Sequence, residues 1–123
     1  MSIRPAESSF PFYDPSMYTD NYVKFIFYGA GLKDIRSFDK PGDAYGFLAD
    51  AIYIADLNNK IGFFLRATIN CNPDGILNDD AYGYKETGLP FLKNLGRVIY
   101  EYEKNRSKKY LPDLSPFQYD YHK

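Results

Sequence analysis

Between Asp34 and Cys71 the chain sets three runs of strand-forming residues one after another: Asp34 to Lys40, Ala44 to Asp56, and Lys60 to Cys71. They read as consecutive antiparallel strands, and they leave the rest of the chain to approach this sheet, cover it or trail from it. The hinge is Lys40-Pro41-Gly42. Ile35 and Phe38 mark the first strand, which is expected to end at the Lys-Pro-Gly-Asp turn. Proline cannot donate to a ladder, so the Pro41 end belongs at an edge or a bulge. In the second run Tyr45, Phe47, Ile52 and Ile54 alternate imperfectly around Ala49, Asp50 and Ala51. Asp56-Leu57-Asn58-Asn59 then supplies hairpin-turn chemistry. The third run, Ile61 to Ile69, is almost continuously apolar, the pattern of a strand buried on both faces.

The cover is expected from a long helix capped by Thr87, with Pro90 tolerated in its first turn. Leu89, Leu92, Leu95, Ile99 and Tyr102 fall on one stripe, widened by Phe91 and Val98, and that face should lie across the sheet. On the N-terminal side, residues 1–18 are punctuated by Pro5, Phe10, Pro11, Tyr13 and Pro15 and read as an irregular surface segment. Thr19 or Asp20 can cap a short helix through Tyr22, Phe25 and Ile26, ending at Gly29. The same residues are also rich in strand formers. Residues 107–123 read as an extended aromatic tail, partly disordered. The expected architecture is a single α+β domain over residues 1–123. Its core, residues 19–106, is a three-stranded antiparallel meander under a long C-terminal helix, with a short N-terminal helix.

A net charge of −1 argues against nucleic acid, which normally needs a basic face. Lys104, Arg106, Lys108 and Lys109 make the one basic cluster, and at a helix C-terminus they complement the dipole and stay solvated. No apolar run approaches a membrane span, and the first residues have no apolar signal core, so the chain as encoded is expected in the cytoplasm. The aromatic share of 19%, with 13 Tyr, 10 Phe and no Trp, suits a core, an interface or a sugar-binding surface equally.

Four motifs carry less chemistry than they promise. Asn70, Asn72, Asp74, Gly75 and Asn78 imitate a calcium loop, but Ala81 stands where a bidentate Glu belongs, and a strand precedes the loop. An oxygen-rich structural loop is expected there, with no metal and no cofactor. His122 lies one residue from the end, where nothing can hold its tautomer. Cys71 has no histidine to activate it and reads as a small structural residue. Ser37-Phe38-Asp39-Lys40 matches a Ser-x-x-Lys string, yet in a strand residues i and i+3 point to opposite faces. No catalytic residue is identified.

The run from Phe38 to Ala55, Phe-Asp-Lys-Pro-Gly-Asp-Ala-Tyr-Gly-Phe-Leu-Ala-Asp-Ala-Ile-Tyr-Ile-Ala, resembles the Lys-Thr/Ser-Gly strand pair of class A β-lactamases and related serine hydrolases. In that family a Tyr-Gly pair, an Asp and an apolar strand follow, and Tyr45, Gly46, Asp50, Ala51 and Ile52 stand in matching order. The third strand and the long helix keep the family's sequence of elements. Gly-Ile-Leu-Asn-Asp-Asp and Gly-Leu-Pro-Phe-Leu-Lys-Asn-Leu-Gly look most like an uncharacterised branch of these hydrolases. The likeness spans about residues 20–106.

The resemblance implies a substrate-binding remnant along the first strand. Lys40 would place a positive charge beside a substrate carboxylate or the serine network. Gly42 belongs to the same remnant, and the backbone N–H of Asp43 would serve as one oxyanion donor. Pro41 replaces the family's hydroxyl residue, and the family's serine-lysine helix, Ser-Asp-Asn loop and glutamate have no counterpart in residues 1–36. The family's sheet has two further strands beyond the third run. An apolar strand lacking that neighbour implies a homodimer, or a complementing N-terminal hydrolase half. Full-length relatives would be exported. The alternative is a small binding or structural module acting through an aromatic surface.

Overall fold

The computed structural model describes residues 35–118. The short helix expected near Thr19, the irregular residues 1–18 and His122 lie outside the described residues. Within them the chain is α+β: an open antiparallel sheet of four strands, β1 (Ile35–Asp39), β2 (Gly42–Ala44), β3 (Phe47–Asp56) and β4 (Ile61–Asn70), and one long helix, α1 (Leu89–Asn105). No described helix is long and apolar enough to cross a membrane.

The hairpin turn is not where the prolyl-glycine suggested. β1 and β2 both pair with β3, with Asp39 opposite Ile52 and Gly42 opposite Ala49. The same number of residues separates the two pairs on each strand, so nothing is inserted and Pro41 makes no bulge. Lys40 keeps the ladder, its N–H donating to the Ala51 carbonyl at 3.0 Å. β1 and β2 are therefore two lengths of one edge strand. The chain reverses instead at Tyr45 and Gly46, with φ of 51° and 87°, linking the paired residues Ala44 and Phe47. Two successive positive φ values give the turn whose twist matches a hairpin. Gly46 is required twice over. Its φ is left-handed, and a Cβ there would collide with Asn72. Its N–H donates to the Tyr84 hydroxyl at 2.9 Å, and its carbonyl accepts from the Cys71 N–H at 2.6 Å.

Alternation along this register sorts the sheet into two faces. Ile35, Leu48, Ile52, Ile54 and Ile61 point to the front, where they meet Leu92 and Tyr100 of α1 in one core, with Phe63, Leu65, Ala67 and Ile69 packed beside them. β4 is buried on this face only, against the expectation of a strand covered on both sides. Phe64, Arg66 and Thr68 point to the back and are exposed. The apolar run was continuous because Gly62, Phe64 and Thr68 interleave without charge, and only Arg66 breaks it.

α1 begins later than Thr87 implied. Tyr84–Gly88 form a π-helical turn that runs straight into it, and the Thr87 N–H bonds the Gly83 carbonyl at 3.0 Å inside that turn. No side chain caps α1, and Pro90 lies in its first turn. Gly88 lets the junction press onto the sheet: a Cβ there would stand 2.6 Å from Leu48 Cδ2 and 2.9 Å from Cys71 Sγ. The buried stripe is Leu92, Gly96 and Tyr100, rotated from the expected one, so Phe91, Val98 and Tyr102 are exposed. The rotation brings the Tyr100 hydroxyl to Asp56, where it donates at 2.6 Å. Asp56 also accepts from the Asn59 backbone N–H at 3.0 Å and its side-chain amide at 2.8 Å, which closes the β3–β4 hairpin beneath the helix. Burial alone would raise the Asp56 pKa, but these donors outweigh it and hold the carboxyl below its ordinary value. Burial and the Asp56 charge push the Tyr100 phenol up.

The tail is not a loose extension. Residues 112–118 cross to the back of the sheet and end in a short 3₁₀ turn, Ser115–Phe117. Leu114 is 2% exposed, and the Phe117 ring stands 5.1 Å from Tyr53 and 5.4 Å from Phe38. Gly62 admits this passage, because a side chain there would meet the Tyr53 hydroxyl and Leu114.

Candidate functional site

The hydrogen bond from Lys40 to Ala51 fixes the phase of the edge strand. Even-numbered residues from Arg36 to Ala44 turn their backbone groups toward β3 and their side chains to the back. Odd-numbered residues do the reverse. Pro41 thus stands where no N–H is asked of it, and the amide of Asp43 is directed away from β3, off the edge of the sheet. Lys40 and Gly42 share the back face and are exposed, and no heavy atom lies within 4 Å of a Cβ built on Gly42. The Asp43 carboxylate goes to the front side. The three residues of the proposed remnant are adjacent in space, with a cation on one face and an outward amide beside it.

No nucleophile stands with them among the described residues. Ser37 is buried on the front face, across the sheet from Lys40, so the Ser-x-x-Lys string brings no hydroxyl to the lysine. Cys71 is free and buried, its Sγ packed against Gly88, and burial pushes its thiol up, away from the thiolate.

The loop from Cys71 to Gly83 uses its oxygens on itself. Asn70 Oδ1 accepts from the Asn72 N–H at 2.9 Å, Asn72 Oδ1 from Gly75 at 3.1 Å, Asp74 Oδ1 from Ile76 at 2.9 Å and Asp79 Oδ1 from Ala81 at 3.1 Å. These are side-chain turns of the kind Asn and Asp form with backbone two or three residues on. They account for the calcium-like spacing without a cation.

The back face holds what composition concealed. Every carboxylate of the sheet, on Asp39, Asp43, Asp50 and Asp56, points to the front, while Arg36, Lys40 and Arg66 point to the back. Lys40, Ala51 and Arg66 form one cross-strand row, Gly42, Ala49 and Thr68 the next. A net charge of −1 gave no hint of this sorting. The signal was present in the alternation once the register was known, and the misplaced turn hid it.

Comparison with protein-family models, with curated proteins and with solved structures returns no match.

Proposed function

We propose that this chain is the C-terminal sheet-and-helix layer of a β-lactamase-like serine hydrolase, inactive by itself, and that it works by association. The observation that carries the reading is the half-site at Lys40–Asp43. A cation on an exposed face lies next to an amide aimed off the strand edge, the two kinds of donor that an anionic substrate and an oxyanion need, with no nucleophile beside them among the described residues. The serine and its base come from outside the described residues. The order of three consecutive antiparallel strands and a closing helix supports a partial fold of that family.

Association is assigned to the β4 edge. The phase set by the Cys71 to Gly46 bond turns the backbone groups of Phe64, Arg66 and Thr68 away from β3, and no described strand pairs there. A second copy, or a complementing hydrolase half, would add a strand to that edge.

Turnover of nitrocefin and of a p-nitrophenyl ester tests the reading. The chain alone should hydrolyse neither, and static light scattering should give a dimer mass at high concentration. Turnover that disappears in Lys40→Ala would mean that the chain holds its own nucleophile and would overturn the inactive half-site. A monodisperse monomer would remove self-association and leave only the complementing half.

A second reading, a binding module that acts through an aromatic face, draws on one observation: Phe64 is 84% exposed while stacked at 4.6 Å on Tyr53. Lone exposed apolar residues need no explanation, but this one borders a larger surface.

A further inference from the structure

The central strand of the sheet, β3, has few polar groups on its back face, and half of that face is exposed. A sheet face meant for water carries polar residues at alternate positions. The back-facing residues of β3 are Phe47, Ala49, Ala51, Tyr53 and Ala55, among which the Tyr53 hydroxyl is the only polar side-chain group. The tail covers one end of this face, where Leu114 and Phe117 seat against Gly62, Tyr53 and Phe38. Beyond Phe117 no described residue covers it. Gly42, Ala51, Thr68 and Phe47 are exposed, Phe47 by half of its surface.

The uncovered half has a shape and a charge. Its floor is two cross-strand rows of small residues, Gly42 and Ala49 beside Thr68, and Ala51 between Lys40 and Arg66. The two cations flank that floor from opposite edges, about 10 Å apart as two strand spacings require. A helix backbone, with its Cα atoms on a cylinder of about 2.3 Å radius, fits between the two rims while its flanking side chains meet the basic ones. Neither cation is ion-paired to a described residue, and no carboxylate of the strands shares their face. Asp74, Asp79 and Asp80 belong to the loop after β4, which approaches the sheet at Gly46 through Asn72. Their repulsion therefore falls at the Phe47 end and leaves the Lys40–Arg66 row as the attracting part.

We propose that this shelf docks an amphipathic α-helix of a partner protein, laid along β3. A narrow apolar stripe would rest on Gly42, Ala49 and Ala51, and carboxylates on both flanks would meet Lys40 and Arg66. The small floor lets a helix axis come close, and long basic side chains at its rims reach up along the helix flanks while their stems add apolar contact. The surface lies on the face of the sheet rather than along the β4 edge, and it goes beyond both readings above by naming the small-residue floor, its two cations and the class of partner they fit.

Fluorescence anisotropy on the full chain tests it, with a labelled synthetic helix of about 18 residues carrying Ala and Leu on one stripe and Glu on both flanks. The controls are the same peptide with Lys for Glu, and an oligothymidylate of about 15 nucleotides. The Glu peptide should bind at least about tenfold tighter than the Lys peptide at low salt, and the preference should invert in Lys40→Glu/Arg66→Glu. Ala51→Trp should weaken the Glu peptide about tenfold by filling the floor, with backbone amide shifts in the wild-type chain confined to residues 40–51 and 64–70. Far-UV circular dichroism shows whether each variant is folded, and Lys40→Glu alone serves if the double variant is not. No binding, equal binding of the two peptides, tighter binding of the oligothymidylate, or shifts on α1 instead of the sheet would each overturn the proposal.

Discussion

The two faces of one sheet are made from the same strands by alternation, yet they solve different problems. The front gathers Ile35, Leu48, Ile52, Ile54 and Ile61 beneath α1 and also buries four polar residues, Ser37, Asp39, Asp50 and Asp56. The back is mostly Ala, Gly and aromatic rings with all three sheet cations, and one short tail segment covers part of it. The front is thus organised for stability, with large aliphatics and satisfied polar groups such as Asp56. Apart from Leu114, the described back face has few large buried aliphatics, so large-to-small mutation there should cost less than on the front. Substitutions chosen across the two faces separate these roles.

The largest effect belongs to the front. Ile54 is fully buried in the centre of β3, so Ile54→Ala removes buried methyl groups and leaves a cavity that the surrounding β-strands cannot collapse. The expected cost is about 2–5 kcal/mol, read from urea midpoints at constant m-value. A cost under about 1 kcal/mol would mean that the helix-covered face is loosely packed and that the contrast between the faces is false.

Next comes the link between sheet and helix. Tyr100→Phe keeps the ring and removes one donor to the Asp56 carboxylate, with an expected loss of about 1.5–3 kcal/mol at neutral pH. Its pH dependence has a definite sign. The Asp56 pKa is lowered on folding, so its contribution is present above the ordinary value of 3.8 and is lost as pH falls through the lower folded-state value. The Tyr100 pKa is raised, so its contribution is present below the ordinary value of 10.0 and declines as pH rises above it. The gap between wild type and Tyr100→Phe should therefore be widest between these limits and shrink in acid. A gap independent of pH down to unfolding would show that the hydroxyl, not the ion, sets the strength of this contact.

Much of this front face was legible in the residues. Asp56-Leu57-Asn58-Asn59 announced its hairpin because Asp and Asn bond their own backbone, and Asp56 does so here. Leu92 was on the expected helix stripe. The remainder depended on facts that no local pattern carries. Pro41 suggested a turn, but its missing N–H falls at an outward position where nothing is lost, while Tyr45, whose side chain gives no turn signal, takes a positive φ because Gly46 is clamped by Cys71 and Tyr84. β4 looked doubly buried because Phe64 is apolar, and only tertiary placement puts it outside. Of the candidate site, Lys40, Gly42 and Asp43 were named from their resemblance to a hydrolase strand, and the strand phase places them side by side. Arg66, two strands away, had no sequence signal linking it to Lys40.

On the back, the covered end should respond where the open end does not. Leu114→Ala uncovers Gly62 and the Tyr53 ring and should cost about 2 kcal/mol, since Leu114 is nearly as buried as any core residue despite lying in the tail. Thermal melting of that variant against wild type measures it. An unchanged melt would return the tail to the status of a loose extension and leave the whole back face open.

The smallest expected effect is the most informative about that open half. Phe64→Ser removes a large ring that is 84% exposed and touches Tyr53 from the solvent side. Because the ring is hardly withdrawn from water in the isolated chain, dilute-solution stability should move by no more than about 0.5 kcal/mol. Under the proposed association, the loss should appear at high concentration instead. If Phe64→Ser destabilises the dilute monomer by about 3–5 kcal/mol, as the loss of a core aromatic would, the ring is part of the core. The back face would then be a second packed face, and the difference between the two sides of the sheet would disappear.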